Sequence, residues 1–224
     1  MTTLATMKTR IASELARGSS LTDQIADAIN TAITAYQKYR FRWNETLPGT
    51  EITFSTVAGQ VNYLFSAITT RTIFKVDYLT VLVGTEVIRL KRIIDPSEIK
   101  MLNDAGTIRG YPDKFCVEGE TIILYPNPDQ VYTVSVGGLF SYAAPATDNE
   151  ANNRWMIDGE LLIRSRAKFE IATHVTRNKE MARAMSPDEH DDGLPVGAAR
   201  RAFDELMRER SQMMATGRVT PTQF

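Results

Sequence analysis

Two pairs of acidic residues have a spacing that acid and base chemistry could use. Glu118 and Glu120 would share one face at a predicted hairpin tip, and Asp158 and Glu160 stand at a predicted helix start. Two carboxylates that flank a glycosidic bond are what glycoside hydrolysis needs. However, carboxylates at a hairpin tip are normally hydrated, and the helix dipole explains acids at a helix start. A cell-wall hydrolase is therefore a function that these residues permit without requiring it.

A metal site is the second kind of chemistry to consider. The two histidines, His174 and His190, are too few for a histidine-rich site. The acidic run 188–192 resembles a ligand cluster but lacks the spacing of a calcium loop, and such runs mostly form solvated turns. The single cysteine, Cys116, excludes an internal disulfide and fits a small buried thiol. We therefore expect no metal and no cofactor.

Composition and motifs argue against further classes. Lysine and arginine total 26 against 27 aspartate and glutamate, so the chain lacks the basic field of a dedicated DNA-binding protein. The phosphate-binding patterns GxxxxGK[ST] and GxGxxG after a strand are absent. Residues 1–18 contain no apolar run as long as a signal peptide or a membrane helix requires. We expect a soluble protein made in the cytosol, with no membrane partner.

The element that organises the chain is a long amphipathic helix predicted over residues 20–43. Its N-terminus can be capped by Ser20 or Thr22. A shorter helix that ends at Gly18 precedes it, so the two would form a hairpin. The large side chains of the long helix recur at three- and four-residue spacing: Ile25, Ile29, Ile33, Tyr36, Tyr39 and Trp43.

Residues 47–145 change to the period of two that is typical of strands. Asp95 begins a short helix within this block, and Gly137 and Gly138 are expected to bend or bulge its last strand. Short turns between strands predict an antiparallel sandwich or open barrel. The expected hairpins join 52–57 with 60–65, 72–83 with 87–93, and 114–117 with 121–125.

Helical periodicity returns after residue 153. The run 158–185 predicts a largely buried helix whose partner is the helix at 20–43, and 198–214 predicts a last helix. The fold class is therefore α+β, a bundle of N- and C-terminal helices with an inserted antiparallel β-sandwich or open barrel. The expected limits are 1–46 for the N-terminal helices, 47–145 for the β domain, 146–216 for the C-terminal helices and 217–224 for an extended tail.

Five stretches together resemble a known family. They are RFRWNE at 40–45, AGQVNYLF at 58–65, VDYLTV at 76–81, GYPDKFCVEGETIILYPNPDQVYTVSV at 110–136 and NRWMIDGELLIRSRAKFEIATHVTRN at 153–178. These turn and core signatures cover most of residues 20–180. They resemble the head-to-tail adaptor (connector) proteins of tailed bacteriophages, especially the short-tailed type.

The resemblance implies a structural protein of the virion and not an enzyme. It implies a ring of identical subunits, usually twelve, that docks beneath the portal protein at the head–tail junction after assembly in the host cytoplasm. The helical part would surround a channel through which DNA passes without sequence-specific contact. The β part would receive tail proteins, such as nozzle or fibre proteins.

The tail of the chain has its own expected role. Family members often extend their C-terminus to the portal, which implies that the tail segment (residues 217–224) makes this contact. A disordered segment can become ordered on binding and place an apolar side chain in a pocket of its neighbour. The candidate portal-binding residues are Arg218, Val219, Thr220, Pro221 and Phe224.

A third function, besides adaptor and hydrolase, is a glycan- or receptor-binding module on the sheet. It would use the exposed aromatic rings of Tyr63, Tyr78, Tyr111 or Tyr132. Aromatic residues at alternating positions of strands more often pack into a core, so we expect core packing for most of them.

Overall fold

The computed structural model of the chain forms two compact units. The helical unit comprises Met1–Trp43 and Ala143–Phe224, and the sheet unit comprises Asn44–Tyr142. Helices and antiparallel sheets are both present, which confirms the α+β class. The residues that the structure describes are 2–15, 21–46, 49–102, 107–188 and 196–216.

The helices and strands are numbered in chain order. The helices are α1 (Leu4–Glu14), α2 (Thr22–Tyr36), α3 (Phe65–Ile68), α4 (Pro96–Leu102), α5 (Arg154–Ile157), α6 (Glu160–Glu170), α7 (Lys179–Met185) and α8 (Ala198–Thr216), with a π-helical turn at Ile171–Val175. The strands are β1 (Ile52–Ser55), β2 (Asn62–Leu64), β3 (Ile73–Val83), β4 (Glu86–Arg89), β5 (Lys91–Arg92), β6 (Arg109–Gly110), β7 (Lys114–Glu118), β8 (Thr121–Tyr125), β9 (Asn127–Pro128) and β10 (Thr133–Phe140).

Helix α6 is the centre of the helical unit, because α1, α2 and α8 all pack against it. Helix α2 buries the predicted stripe, with Ile25, Ile29 and Ile33 almost fully enclosed. The expected pairing of the early helix with the late one is therefore confirmed. Burying a large aliphatic side chain stabilises a fold by about 1.5–3 kcal/mol, so this stripe supplies much of the driving force.

Helix α2 is shorter than the sequence predicted, because it ends at Tyr36 and not at Trp43. The rings of Phe41 and Trp43 stack at 5.0 Å with an interplanar angle of 8°. Residues two apart on a helix do not face each other, so this stacking is incompatible with helical backbone. Of the two expected caps, Thr22 is instead the first residue of α2, because Leu21 occupies the N-cap without a side-chain hydrogen bond. The other expected cap, Ser20, lies outside the described residues, as does Gly18.

The helix predicted over 158–185 is in fact broken. The π-helical turn follows α6, and Arg177 then adopts a left-handed conformation with φ 52°. The side chain of Asn178 accepts a hydrogen bond from the backbone N–H of Met181 at 3.0 Å and so caps a new helix, α7. The cap at Asn178 therefore starts a new helix, although the helical spacing of apolar residues continues through this position.

Ion pairs fasten α1 to α6. The carboxylate of Glu14 lies 3.2 Å from Arg164 Nη1 and 2.6 Å from Lys168 Nζ. One turn nearer the start of each helix, Glu160 pairs with Arg10. These pairs set the register of the two helices, although each contributes little to stability where it is exposed.

The sheet unit contains two four-stranded sheets with a shared core. Their strand orders are β1-β10-β3-β4 and β2-β8-β7-β5. Core side chains come from both, including Leu79 and Val136 from the first and Phe115 and Leu124 from the second. This arrangement is a sandwich, as the period of two predicted. Two short pairs, β5 with β7 and β6 with β9, are parallel and were not expected.

Strand pairing is partly as predicted. The hairpins β3–β4 and β7–β8 are confirmed, and so is the irregularity at Gly137 and Gly138. The first predicted hairpin is wrong, because β1 pairs with β10 and β2 pairs with β8. The rings of Phe54 and Tyr63 lie 5.0 Å apart, so the two strands do meet, but through side chains in the core and not through a ladder.

Replacing Gly138 by alanine should destabilise the sheet unit. An added Cβ would lie 2.0 Å from the main-chain oxygen of Lys75, which cannot move without disturbing the bulge. We expect a loss of about 2–4 kcal/mol, the range of overpacking and bulge disruption combined. Urea denaturation followed by far-ultraviolet circular dichroism measures it. Gly110→Ala is the matched control, since no atom lies within 4 Å of its added Cβ; equal stability of the two variants would contradict the expectation.

Candidate functional site

An apolar groove lies on the helical unit, between the residues that follow α2, the start of α6 and the middle of α8. We call it the α6–α8 groove. Its volume is about 380 Å³. Leu161 is 47% exposed there, and Ile157, just before α6, is 36% exposed, so apolar surface remains in contact with solvent. The apolar lining residues are Phe41, Trp43, Leu161, Leu162, Ala202 and Leu206.

The floor of the groove is held by an aromatic cluster. Trp155 is fully buried and meets Phe41 edge-on at 5.8 Å and Trp43 edge-on at 5.3 Å. Phe203 of α8 approaches Phe41 edge-on at 5.9 Å. Edge-to-face rings at these distances add about 0.5–1.5 kcal/mol per pair beyond their burial. Asn153 fixes Trp155 by accepting its backbone N–H at 3.1 Å. The floor is therefore closely packed within the chain itself.

The rim of the groove is charged. Glu205 and Glu209 are exposed and lie one turn apart on α8. No ion pair joins either of them to another residue in the described part of the chain. Asp158 is held by Arg154 at 3.2 Å. The two remaining charged residues that line the groove are Arg42 and Arg210.

A second, more open cleft of about 420 Å³ lies beside α2 and α8. Burial, the largest cause, raises the pKa of Tyr36 to about 12, so its phenol stays neutral. The arginines of this cleft already have partners: Arg166 lies 2.6 Å from Glu170, and Arg200 lies 3.0 Å from Asp204. Because the cations are neutralised locally, the cleft has no strong field for an anion.

The two candidate carboxylate pairs are not arranged for acid catalysis. Glu118 is bound by Lys100 at 3.1 Å at the surface. For Glu160, burial raises the pKa, but hydrogen bonds from Thr2 (2.8 Å) and Arg10 outweigh it, so the pKa lies below the ordinary 4.5. A general acid for glycoside hydrolysis needs a raised pKa. Glu160 is instead suited to holding an ion pair.

The described residues contain no group of three or more potential ligands that could hold a metal ion. His174 is exposed in the π-helical turn and lies 3.4 Å from Glu170. Within the acidic run, Asp188 is described and exposed, but 189–192, including His190, lie outside the described residues. Cys116 is fully buried, as predicted. In the described segments no helix is both long and apolar enough to cross a bilayer.

Most of the tyrosines proposed for glycan binding belong to the interior. Tyr63 is buried, and its hydroxyl donates to Gln60 O at 3.0 Å. Tyr132 is buried and donates to Asp129 Oδ1 at 2.7 Å. Tyr78 is half-buried over Gly137 and bonds Glu51 at 3.0 Å. Of the four, Tyr111 alone is exposed, at 45%. The structure does not bring these rings together as a binding face.

The remaining predicted site residues, Arg218, Val219, Thr220, Pro221 and Phe224, lie outside the described residues. The α6–α8 groove itself was missed at the level of sequence. The sequence predicts a largely buried helix over 158–185, which includes Leu161, and places Trp43 in the stripe of the helix at 20–43. The signal that could have revealed the groove was Phe41 and Trp43 in RFRW, since two aromatics two residues apart do not share a helical face.

Comparison with known proteins gives one family. The family model described as SU10 adaptor protein matches residues 2–222, which is nearly the whole chain and includes both units. No curated protein matches the sequence.

Removing the Glu160 charge should cost stability in a pH-dependent way. The pKa of Glu160 is lower in the folded protein than the ordinary 4.5. The stabilisation by its ionised carboxylate is therefore present above pH 4.5 and is lost as the pH falls through the folded pKa. We expect Glu160→Gln to lose about 1 kcal/mol at neutral pH and to approach wild type as the pH falls through the folded pKa of Glu160. Urea unfolding followed by tryptophan fluorescence reports it, since both tryptophans lie in the helical unit.

The control for Glu160→Gln is Glu180→Gln, which removes an exposed carboxylate on α7. We expect this variant to unfold within about 0.5 kcal/mol of wild type at either pH. A Glu160→Gln deficit that persists unchanged in acid would show that lost packing, and not lost charge, is responsible.

Proposed function

Because the chain belongs to the SU10 adaptor protein family, it is a phage adaptor protein with a structural role, and we propose that it joins the portal to the tail. In this proposal identical subunits, twelve in the usual case, form a ring beneath the portal at the head–tail junction of the virion. The ring is assembled in the host cytoplasm and catalyses no reaction. The observation that carries the proposal is the family match over both units.

The two units support this role because they offer unlike surfaces. An adaptor needs at least two, one for the head side and one for the tail side. The helical unit has a preformed groove with an apolar floor and a charged rim. The sheet unit exposes large apolar side chains, with Ile94 91% exposed, Met101 79% and Val131 68%. Apolar side chains in water are typical of protein contact surfaces, so we assign the sheet unit to tail proteins of the nozzle or fibre kind.

Charge balance supports a channel that lets DNA slide. The chain has a formal net charge of −1. Binding of DNA grows with the number of phosphates that lysine and arginine neutralise, and a channel must avoid tight binding. In the helical unit several arginines and lysines are neutralised by neighbours, for example Arg164 and Lys168 by Glu14. We propose that DNA passes the ring without sequence-specific contact.

We assign the portal contact to the tail segment. Arg218 can pair with an acidic residue, and Val219, Pro221 and Phe224 can fill apolar pockets of a neighbour. Thr220 adds a hydrogen-bonding hydroxyl. The segment directly follows α8, which from Phe203 onward contains no buried residue among those whose burial is described.

Deleting residues 217–224 should abolish joining to portal without unfolding the protein. Portal-bearing head particles are mixed with the full chain or the deletion, and co-sedimentation is measured together with tryptophan fluorescence. We expect a loss of at least about tenfold in bound adaptor and unchanged fluorescence. Co-sedimentation equal to that of the full chain would remove the assignment of the tail.

Single substitutions sharpen this test. Phe224→Ala should lose most of the binding, because a buried aromatic anchor dominates such contacts. Thr222→Ala, two residues away, is the matched control and should bind as the full chain does. The mass of the complex gives the number of subunits, and a portal that binds single, separate copies would contradict the proposed ring.

A further inference from the structure

The first sheet of the sheet unit has two open edges. Its strand order is β1-β10-β3-β4, so β1 and β4 each have a neighbouring strand on one side only. Each of them is four residues long, whereas the second sheet ends in β2 with three residues and β5 with two. Unpaired backbone N–H and C=O groups on an edge strand are a template for pairing with another strand. Each edge of the first sheet can therefore accept one more strand.

The residues of β1 that face its open edge are Thr53 and Ser55. The backbone N–H of Thr56 donates to the carbonyl of Tyr132 at 2.8 Å, which makes these two a hydrogen-bonded pair. Hydrogen-bonded and non-hydrogen-bonded pairs alternate along an antiparallel ladder, so Phe54 bonds β10 and the backbone groups of Thr53 and Ser55 point outward. Helix α3 contacts β1 but leaves both residues exposed.

The residues of β4 that face its open edge are Val87 and Arg89. The backbone N–H of Leu90 donates to the carbonyl of Leu79 at 2.9 Å, so this pair belongs to the hydrogen-bonded set of the β3–β4 ladder. By the same alternation Ile88 bonds β3, and the backbone groups of Val87 and Arg89 point away from β3. Both residues are exposed, Val87 at 68%.

The two open edges are complementary to each other. The three ladders of the sheet are all antiparallel, so β1 and β4 run in opposite directions. When the first sheet of another copy continues the row of strands, its β1 therefore lies antiparallel to β4, which is the commoner kind of pairing. Ser55, Thr133, Leu82 and Val87 form one row across the sheet. Continuing this row places Ser55 of the next copy opposite Val87, and both residues then supply their outward backbone groups.

The core side chains at the two edges also match. Phe54, Val134, Val81 and Ile88 form the neighbouring row, on the core face of the sheet. The inner pair, Val134 and Val81, is fully buried, whereas Phe54 and Ile88 at the edges are partly exposed. In a continued sheet Ile88 of one copy would meet Phe54 of the next as a cross-strand pair of an aromatic and a β-branched residue. The neighbouring copy would thus cover core residues that each chain leaves partly open.

We propose that β4 of one subunit pairs with β1 of the next subunit, so that the first sheet continues from copy to copy around the ring. The inference rests on the proposed function, because it names a contact between the subunits of that ring. Two different edges in contact make a heterologous interface, which generates a ring when the rotation closes. Backbone hydrogen bonds join the two strands. The core row fixes the register, since a slip of one residue would place Ile88 opposite the exposed Thr53 or Ser55.

A disulfide between the two edges tests the pairing. A double variant of the full chain carries Val87→Cys and Ser55→Cys, which the proposed register places opposite each other, about 5.5 Å apart between Cα atoms. That distance allows a disulfide. Within one chain the two positions are three strand spacings apart, about 14 Å, which excludes an internal bond. The natural cysteine, Cys116, is fully buried.

The double variant is assembled on portal-bearing head particles, oxidised mildly with copper phenanthroline and analysed on a denaturing gel without reductant. We expect a ladder of covalent multimers that extends to the full ring. The matched control combines Val87→Cys with Thr53→Cys, which the register leaves on a diagonal about 7–8 Å apart. It should cross-link at least about tenfold less, because that distance exceeds the reach of a disulfide. Each single variant should stay monomeric on the gel.

A proline at the open edge tests the backbone hydrogen bonds. Val87→Pro removes the outward N–H, and an edge strand tolerates proline on that side. We expect at least about tenfold fewer adaptor copies on the particles than with wild type, because the facing carbonyl of the next copy is left unpaired. Val87→Thr keeps the N–H and a branched side chain, so it should assemble as wild type does. Far-ultraviolet circular dichroism and urea denaturation check the fold of each variant.

The outcomes separate the contact from the function. If wild type forms no ring on the particles, the proposed function fails. If wild type and the double variant form rings but no ladder appears, the pairing of β4 with β1 is wrong. Equal cross-linking by the control pair would overturn the register, and full assembly of Val87→Pro would show that this N–H is not used. A ladder specific to Val87→Cys with Ser55→Cys supports the proposal, and it decides alone if Val87→Pro does not fold.

Discussion

The helical unit depends on the stacking of Phe41 on Trp43 between rings that come from the far side of the sequence. Trp155 and Phe203 lie more than a hundred residues away along the chain, yet both touch Phe41 within 6 Å. Trp155 and Phe41 are buried almost completely, and aromatic side chains of this size each remove about 150–250 Å² from water. This cluster makes the two ends of the chain one folded body. The stacked pair also excludes a helix that continues through Trp43.

The same cluster explains why the groove has an enclosed floor and an exposed edge. The residues that form the floor are surrounded by aromatic rings on several sides. The edge is made of exposed side chains on α8 and at the start of α6. In α8 the fully buried positions among those described are Ala199 and Ala202. A helix that buries two small residues and leaves Leu206 and Met207 half-exposed retains apolar surface that its own chain does not cover. That property suits a structural protein whose complete form includes neighbours.

Local patterns in the sequence predicted the element types well and their pairing less well. The burial of Ile25, Ile29 and Ile33 follows from helical spacing, and the hairpins around Gly84 and Gly119 follow from turn chemistry. Strand β1 was paired wrongly because its true partner, β10, lies about eighty residues away in the sequence. An alternating pattern of apolar and polar residues does not indicate which other strand a strand pairs with. The groove as a whole was missed for the same reason. It joins Trp43, Leu161 and Leu206, which only tertiary packing brings together.

The entry and exit of the sheet unit lie side by side. The backbone N–H of Phe140 donates to the carbonyl of Asn44 at 2.8 Å, and Glu45 bridges Leu139. The entropy of closing a loop is set mainly by how near its ends are held, and it grows slowly with loop length. The entropy cost of joining the two segments of the helical unit through about a hundred residues is therefore only slightly larger than the cost of joining them through a short connector. A change in the length of a loop inside the sheet unit therefore leaves unaltered the two neighbouring chain ends that the helical unit has to join.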